Sequence, residues 1–371
     1  MNNKMFCKIL SLILFSFFLT SCTDKTENDI KNNTNDKEIE ETIIDINNNN
    51  DNSDGDEKDD VIDFSYTISL IDEGVDIYNA HQDYGYNYGP SIIKNEDGSY
   101  DAWFSSPGNS SSQWDYIRYR HSEDGINWSD SKIVLTPTYG SKDQCSVCDP
   151  GVIYFNDYYY LAYTGTDDVD GKGFNNSAFV ARSSNPDGPF EKWNGESWGG
   201  DPMPIIEYEG NPKGWGHGEI SFVIKDNELY IFYTSADEIS TCIDLSKADL
   251  TDNWPLTIKC IGIVGSRENH DSLDVFYDDK TNMFLAFTMD MRMSEGSRLT
   301  LFKSMDGNNF EYAEDKRNGI EDYAHNVGVS KDKNGHINID DELLVCYAYG
   351  PNWGRWTTRV NKVKINVNDD E

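Results

Sequence analysis

The chain has 371 residues, of which 37% are hydrophobic and 13% aromatic, and its formal net charge is −35. So acidic a protein repels phosphate backbones, and we therefore expect no nucleic-acid partner. Its 22 tyrosines favour an all-β fold with aromatic-lined surfaces over a helical bundle.

The N-terminus has the layout of an export signal. Lys4 and Lys8 precede an apolar run over residues 9–19, which is too short to span a bilayer. The run ends in Leu-Thr-Ser-Cys, which resembles a bacterial lipobox and implies cleavage before Cys22 and lipidation of its thiol. The alternative is a plain signal peptide that happens to end in cysteine. We expect an exported protein, lipid-anchored at the cell surface or the outer face of the membrane.

Three segments follow from the composition. Residues 1–21 are the predicted lipoprotein signal peptide, and residues 22–60 are a lipidated linker rich in Asn, Asp and Glu. Such a linker buries too little apolar surface to offset its ordering entropy, so we predict that it is disordered. Residues 61–371 are predicted to form the folded domain.

The cysteines do not indicate a metal or redox centre. Five remain beyond residue 22: Cys145, Cys148, Cys242, Cys260 and Cys346. The Cys-x-x-Cys pair lacks the βαβ setting of a thioredoxin-like motif, and no second pair completes a zinc site. We therefore predict structural thiols or one local disulfide, and no metal ligands.

A repeated hairpin dominates residues 61–371. Two β runs, 151–155 and 158–164, are joined by Asn156-Asp157, which is a hairpin signal. This hairpin pattern occurs five times, and several copies continue into a strand that ends in Asp-Gly and an aromatic residue. The five hairpins open at Gly89, Asp149, Glu219, Asp271 and His325. About four strands in each of five units predicts an all-β, five-bladed β-propeller.

The hairpin openings carry the candidate chemistry. In a propeller they converge on one end of the central channel, so Asp149, Glu219, Asp271 and His325 are predicted to face a common funnel. Two carboxylates across a sugar ring suffice for glycoside hydrolysis, since one protonates the leaving oxygen and the other activates water or attacks directly. The alternative is structural, because Asp is a common turn residue at a strand entrance.

The Asp-Pro hairpin, the Glu-opened hairpin and the His-Asn pair together resemble the five-bladed propeller glycoside hydrolases. These are the family 43 arabinofuranosidases and xylosidases with the related families 32, 62, 117 and 130. The resemblance implies that Glu219 is the general acid and that Asp149 tunes its pKa and orients the sugar. A histidine of blade five in these families often lies near a calcium ion or a water molecule in the channel, and His325 stands at the matching place. A structural Ca²⁺ there is therefore an expectation, although the chemistry requires no cofactor.

This sequence departs from the family pattern at Gly89, where the blade-one Asp usually stands. Three explanations remain open. Asp83 substitutes for the missing acid, Asp271 serves from the facing blade, or the protein binds glycan without cleaving it.

Aromatic and polar residues near the openings are predicted to bind the sugar, since flat rings stack on sugar faces. They are Tyr88, Trp114, Trp215, His217, His325 and Asn326. For the aromatic residues, packing between blades is an equal alternative.

The sequence thus predicts a monomeric glycoside hydrolase that acts on O-glycosyl bonds in a plant- or glycan-derived oligosaccharide or polysaccharide. It would contact the membrane only through the lipid on Cys22. A catalytically inactive carbohydrate-binding lipoprotein is the alternative that Gly89 favours.

Overall fold

In a computed structural model of the protein, the described residues are 64–78, 85–168, 170–264, 271–315 and 320–369. Within these ranges there is no α-helix, and two short 3-10 helices span Trp254–Thr257 and Trp353–Arg355. No helix of these ranges is long and apolar enough to cross a membrane. The predicted all-β class is confirmed, whereas the predicted signal peptide, Cys22, the linker and Asp83 lie outside the described residues.

The strands form five antiparallel meanders. β1 (Phe64–Leu70) and β2 (Val75–Tyr78) come first in the chain and belong to the fifth meander. The first meander consists of β3 (Tyr88–Lys94), β4 (Tyr100–Ser110), β5 (Gln113–Ser122) and β6 (Lys132–Leu135). The second consists of β7 (Ser146–Phe155), β8 (Tyr158–Thr166), β9 (Ser177–Ser183) and β10 (Glu191–Lys192). The third consists of β11 (Gly216–Lys225), β12 (Glu228–Ala236), β13 (Thr241–Asp249) and β14 (Lys259–Ile263).

The last two meanders follow the same plan. The fourth consists of β15 (Asp274–Asp278), β16 (Met283–Asp290), β17 (Arg298–Ser304) and β18 (Glu311–Asp315). The fifth consists of β19 (Ala324–Lys331), β21 (Leu343–Tyr349), β22 (Thr357–Asp369) and β1. Between β19 and β21, the short strand β20 (His336–Ile337) pairs parallel to β15. The N-terminal strand β1 is therefore the outermost strand beside the C-terminal strand β22.

The inner hairpin turns form as predicted. Asn156 and Asp157 join β7 to β8 with φ of 48° and 64°, and Asp226 and Asn227 join β11 to β12 with φ of 52° and 62°. Two successive residues with positive φ match the right-handed twist of the flanking strands, and Asn and Asp tolerate this conformation better than most residues.

The hydrophobic core lies between the meanders. Alternate side chains of each strand point to opposite faces, so every meander packs on two neighbours. Five buried clusters join the first meander to the second, the second to the third, the third to the fourth, the fourth to the fifth, and the fifth back to the first. Ile93 and Ile92 show the alternation, since Ile93 packs toward the second meander and Ile92 toward the fifth. The meanders therefore form a closed ring.

The five cysteines of the described ranges are free thiols, and Cys145, Cys148 and Cys346 are buried. Of the two predicted alternatives, structural thiols rather than a local disulfide are present.

Candidate active site

The first strands of the five meanders share a backbone device. Where each begins, one residue adopts a left-handed conformation, with φ between 47° and 58°. These bulge residues are Gly89, Asp149, Glu219, Ser272 and Asn326. In four of the meanders the pairing of the first two strands shifts at this point, as expected of a β-bulge. Left-handed Glu219 is unusual, because non-glycine residues with positive φ are uncommon and are concentrated at functional sites.

Hydroxyl groups of the preceding meander hold the bulges in place. The backbone N–H of Asp149 donates to Ser105 Oγ at 2.8 Å, and that of Glu219 donates to Thr164 Oγ1 at 3.0 Å. The N–H of Ser272 donates in the same way to Thr234 Oγ1 at 3.1 Å. Each accepting hydroxyl lies on the second strand of the meander before. The repeat therefore places Asp149 and Glu219 at equivalent positions of adjacent meanders.

Two cavities meet at these residues. A narrow channel cavity of about 30 Å³ lies among the first strands, and all five bulge residues line it. A wider cavity of about 290 Å³, here called the aromatic cavity, shares Asp149, Glu219 and Asn326 with the channel cavity. Its other aromatic and charged lining residues are Tyr88, Trp114, Asp115, Lys172, Trp215, Arg292, Trp353 and Trp356.

The Glu219 carboxylate is oriented on one side only. Asn326 Nδ2 donates to Glu219 Oε1 at 2.8 Å and to Ser272 Oγ at 3.2 Å. The second oxygen, Oε2, is buried and has no hydrogen-bond partner among the described residues, and the same is true of Asp149 Oδ1. Because buried carboxylate oxygens normally have partners, these two atoms are available to a ligand in the cavity.

The electrostatics of the site favour a proton at this pair of acids. Burial raises the pKa of Asp149 well above its usual range, and the negative charges of Glu219 and Asp115 raise this pKa further. A hydrogen bond from the Cys148 thiol and the positive charge of Arg292 act in the opposite direction. Burial and the neighbouring negative charges therefore favour the protonated form of Asp149.

The sequence alignment placed the fourth and fifth openings one residue too early. The fourth bulge residue is Ser272 rather than Asp271, and the fifth is Asn326 rather than His325. The side chain of Asp271 forms an ion pair with Arg292, and Asp271 is not among the residues that line either cavity. The predicted convergence therefore holds for Asp149 and Glu219 and fails for Asp271 and His325.

Both candidate histidines pack beside the site. The His325 ring is fully buried against Trp356, with ring centroids 4.0 Å apart, and burial together with Arg292 lowers its pKa to about 3. The His217 ring packs edge-on against Tyr208 and Tyr233, and burial lowers its pKa to about 4. Neither is among the residues that line the aromatic cavity.

The remaining predicted sugar-binding residues do lie in the aromatic cavity. Tyr88, Trp114, Trp215 and Asn326 all line it. Their role in binding a sugar stays a prediction, and Asp83 lies outside the described residues.

Five of the aromatic and charged residues that line the aromatic cavity were missed by sequence reasoning. Trp353 and Trp356 lie in the connection between β21 and β22, and they contact Tyr86 and Tyr88 with ring centroids 5.1 Å apart. Arg292 stands between Met291 and Met293, both left-handed with φ of 50° and 56°. Asp115, on β5, and Lys172 complete the set. None of the five belongs to an inner hairpin.

A lysine ammonium lies beside the Asp274 carboxylate in the channel, and the calcium ion that the family resemblance implies stays a prediction. Of the described residues that line the channel cavity, only Asp149, Glu219 and Asp274 carry carboxylates. Lys331 Nζ donates to Asp274 Oδ1 at 2.6 Å. The same ammonium donates to Ser221 Oγ at 3.2 Å and to the Val275 carbonyl at 3.0 Å. Lys331 thus occupies the oxygens at this end of the channel, and in the described ranges no group of three or more His, Cys, Asp or Glu side chains is arranged to hold a metal.

Several solved structures share this architecture. Zg3597, a family 117 glycoside hydrolase produced by the marine bacterium Zobellia galactanivorans, has a TM-score of 0.55 and 15% identity, and the match covers 83% of this chain and 92% of that chain. The catalytic domain of a family 62 α-L-arabinofuranosidase from Coprinopsis cinerea has a TM-score of 0.55 and 13% identity, with coverage of 81% and 97%. A thermostable family 43 glycoside hydrolase has a TM-score of 0.55 and 14% identity, with coverage of 79% and 97%.

No family model and no curated protein matches the sequence. The structural likeness shows that the described part of the chain has the fold of these glycoside hydrolases.

Proposed function

We propose that the protein is a glycoside hydrolase that cleaves an O-glycosyl bond in an oligosaccharide, and that its ring of meanders is a five-bladed β-propeller. One observation supports this most: a single backbone device presents Asp149 and Glu219 side by side in a cavity walled by tryptophans. Carboxylates deliver and accept the protons of glycoside hydrolysis, and aromatic rings supply the flat apolar surface on which sugars stack.

Glu219 is the general acid of this proposal. Its Oε1 is held by Asn326, which leaves Oε2 free to deliver a proton to the leaving oxygen. Asp149 lies in the neighbouring meander, and repulsion between the two acids helps to keep the proton at the site. Trp114 and Trp215, which line the same cavity as these carboxylates, would stack on the sugar.

A catalytically silent glycan-binding protein is the second candidate, and Gly89 favours it. A Cβ atom at this position would lie 2.6 Å from Asp149 Oδ1 and 3.3 Å from Ser105 Oγ. The first meander therefore has no room for a carboxylate at its bulge, and the arrangement of the related families is not reproduced there.

We also propose that the protein is exported and anchored by a lipid on Cys22, and that it acts as a monomer. The proposals of export and lipid anchoring rest on the export-signal layout of residues 1–22.

The test is hydrolysis of a panel of aryl glycosides by the full chain and by its Glu219→Gln variant. We expect turnover of at least one glycoside and a loss of about 100-fold or more in the variant, because glutamine keeps the shape but has no proton to give. Glu342→Gln, the same change at an exposed site on the chain, is the matched control. Glycan binding without turnover would favour the silent binder.

A further inference from the structure

The described structure holds a third acid in the aromatic cavity that no inner hairpin supplies. Asp115 lies near the start of β5 in the first meander, the meander whose bulge residue is Gly89. It lines the same cavity as Asp149 and Glu219, and only 2% of its surface is exposed.

Three neutral donors hold the Asp115 carboxylate. The Tyr86 hydroxyl shares its single proton between Oδ1 and the Trp114 carbonyl, each 2.6 Å from Oη, while Tyr88 Oη and Ser146 Oγ donate to Oδ2 at 2.9 Å and 3.0 Å. Among the described residues, its hydrogen-bond partners include no lysine, arginine or histidine. A buried carboxylate held by neutral groups is costly to ionise, and such groups are concentrated at functional sites.

Two tryptophans fix the tyrosines that hold this acid. The Tyr86 ring contacts Trp353 and the Tyr88 ring contacts Trp356, each with centroids 5.1 Å apart. The orientation of Asp115 is thus set by residues that wall the cavity itself, as expected of a pre-organised catalytic group.

We propose that Asp115 is the third catalytic carboxylate, taking over the role for which Gly89 leaves no side chain. The proposal rests on the function proposed above. As the bond from the anomeric carbon to the leaving oxygen breaks, a water oxygen bonds to that carbon and gives one proton to Asp115. Glu219 gives its own proton to the leaving oxygen, so one water is consumed, and both carboxyl groups return to their starting states by exchange with solvent.

The charge states of the site agree with this division of roles. Burial raises the pKa of Asp115 to about 6, and the three hydrogen bonds limit the rise. The titratable groups that face it are the phenols of Tyr86 and Tyr88, the Cys148 thiol and Asp149. The pKa of Asp115 is thus raised less than that of Asp149, so Asp115 is the acid of this pair that ionises more readily, as a base must.

The experiment compares the full chain with its Asp115→Asn variant on an aryl glycoside, with and without azide. We expect turnover to fall by about 100-fold or more. Azide, an anion that needs no base, should restore turnover and appear as glycosyl azide. Asp101→Asn is the matched control, because Asp101 is also buried in the first meander and accepts hydrogen bonds from Tyr119 and His121, but it does not line the cavity.

The outcomes separate the two proposals. Two results would overturn the role of Asp115 and leave the proposed hydrolase activity in place. In both, the unmutated chain turns over a glycoside, while Asp115→Asn is either equally active, or inactive and not restored by azide. No turnover by the unmutated chain on any glycoside overturns both. The melting temperature of each variant is measured alongside. If Asp115→Asn and Asp101→Asn lose activity and stability to the same extent, the catalytic role of Asp115 is also overturned.

Discussion

At the scale of single residues, the site depends on which atoms are left without partners. Asp149 Oδ1 and Glu219 Oε2 are buried and unbonded, whereas Asp115 has a donor on each oxygen. An oriented base and a proton-holding pair of acids are the two halves that hydrolysis of a glycoside requires. Gly89 belongs to this arrangement, because any side chain there would meet the Asp149 carboxylate.

The hydrogen bond from Tyr88 to Asp115 gives a prediction for the pH dependence. Burial raises the pKa of Asp115 to about 6, and this hydrogen bond limits the rise because it stabilises the ionised form. A base must be ionised, and kcat/KM should therefore fall as the pH drops through this pKa. Tyr88→Phe removes the bond, raises the pKa and moves the acidic limb of kcat/KM upward by about one pH unit.

Tyr116→Phe is the control for this profile, since Tyr116 is a buried phenol on the same strand that donates to Gln113 rather than to Asp115. An acidic limb that stays in place in Tyr88→Phe, or that moves equally in both variants, would contradict the assignment.

Sequence reasoning at this scale located Asp149 and Glu219 but not their partners. Asp115 was out of reach because its place in the cavity depends on Tyr86 just before β3, on Tyr88 at the start of β3, and on a serine of the second meander. Asp271 and His325 were chosen by residue type. A bulge inserts one residue, however, so an alignment by type slips by one and turns the side chain away.

At the scale of elements, the outer Asp-Gly turns are built alike. Asp306 Oδ1 accepts the backbone N–H groups of Asn308 and Asn309 at 2.8 Å and 2.9 Å, and Ser304 Oγ accepts that of Gly307 at 3.0 Å. Asp124 and Ser122 make the same bonds in the first meander. Turns of this kind could be read from the sequence, because each is local and every group in it lies within a few residues.

Asp306→Ala should lower the free energy of unfolding by about 1 kcal/mol at neutral pH, the usual net worth of such hydrogen bonds at the surface. The bonds to the ionised form lower the pKa of Asp306 to about 2. The contribution is therefore complete above the unfolded-state pKa of about 4 and is lost as the pH falls toward 2.

Denaturant titrations of the unmutated chain and the variant at several pH values would check this. The difference should be constant above pH 4 and should shrink below it. Asp130→Ala, at an exposed position in the first meander, is the control. A difference that is independent of pH would show that the carboxylate does not stabilise the turn.

At the scale of the whole molecule, an ion pair ties the ring together. Lys331 of the fifth meander donates to Asp274 of the fourth and to Ser221 of the third, and Asp274 Oδ2 accepts the Val329 N–H at 2.7 Å. The Lys331 and Asp274 side chains are only 5% and 12% exposed. The closed ring itself was predictable from the repeat, but this pair was not, because its members belong to different meanders.

Asp274→Asn should lower the free energy of unfolding by about 3 to 5 kcal/mol, since it leaves the Lys331 charge buried without a counter-ion. Asp274→Asn with Lys331→Met should recover most of this loss, because both charges are then removed. Asp187→Asn, in the exposed pair with Lys132, is the control and should have a much smaller effect. Thermal or denaturant unfolding provides the measurement, and a single variant as stable as the control would contradict the role of the pair.

The central claim is that Glu219 protonates the leaving group. Its most direct test is the turnover of a series of aryl glycosides with increasingly acidic leaving groups, by the full chain and by Glu219→Gln. We expect the loss in the variant to be about 100-fold or more for the poorest leaving group and to shrink steadily as the leaving group becomes able to depart without a proton. An equal loss across the series, or no turnover by the unmutated chain, would contradict the account.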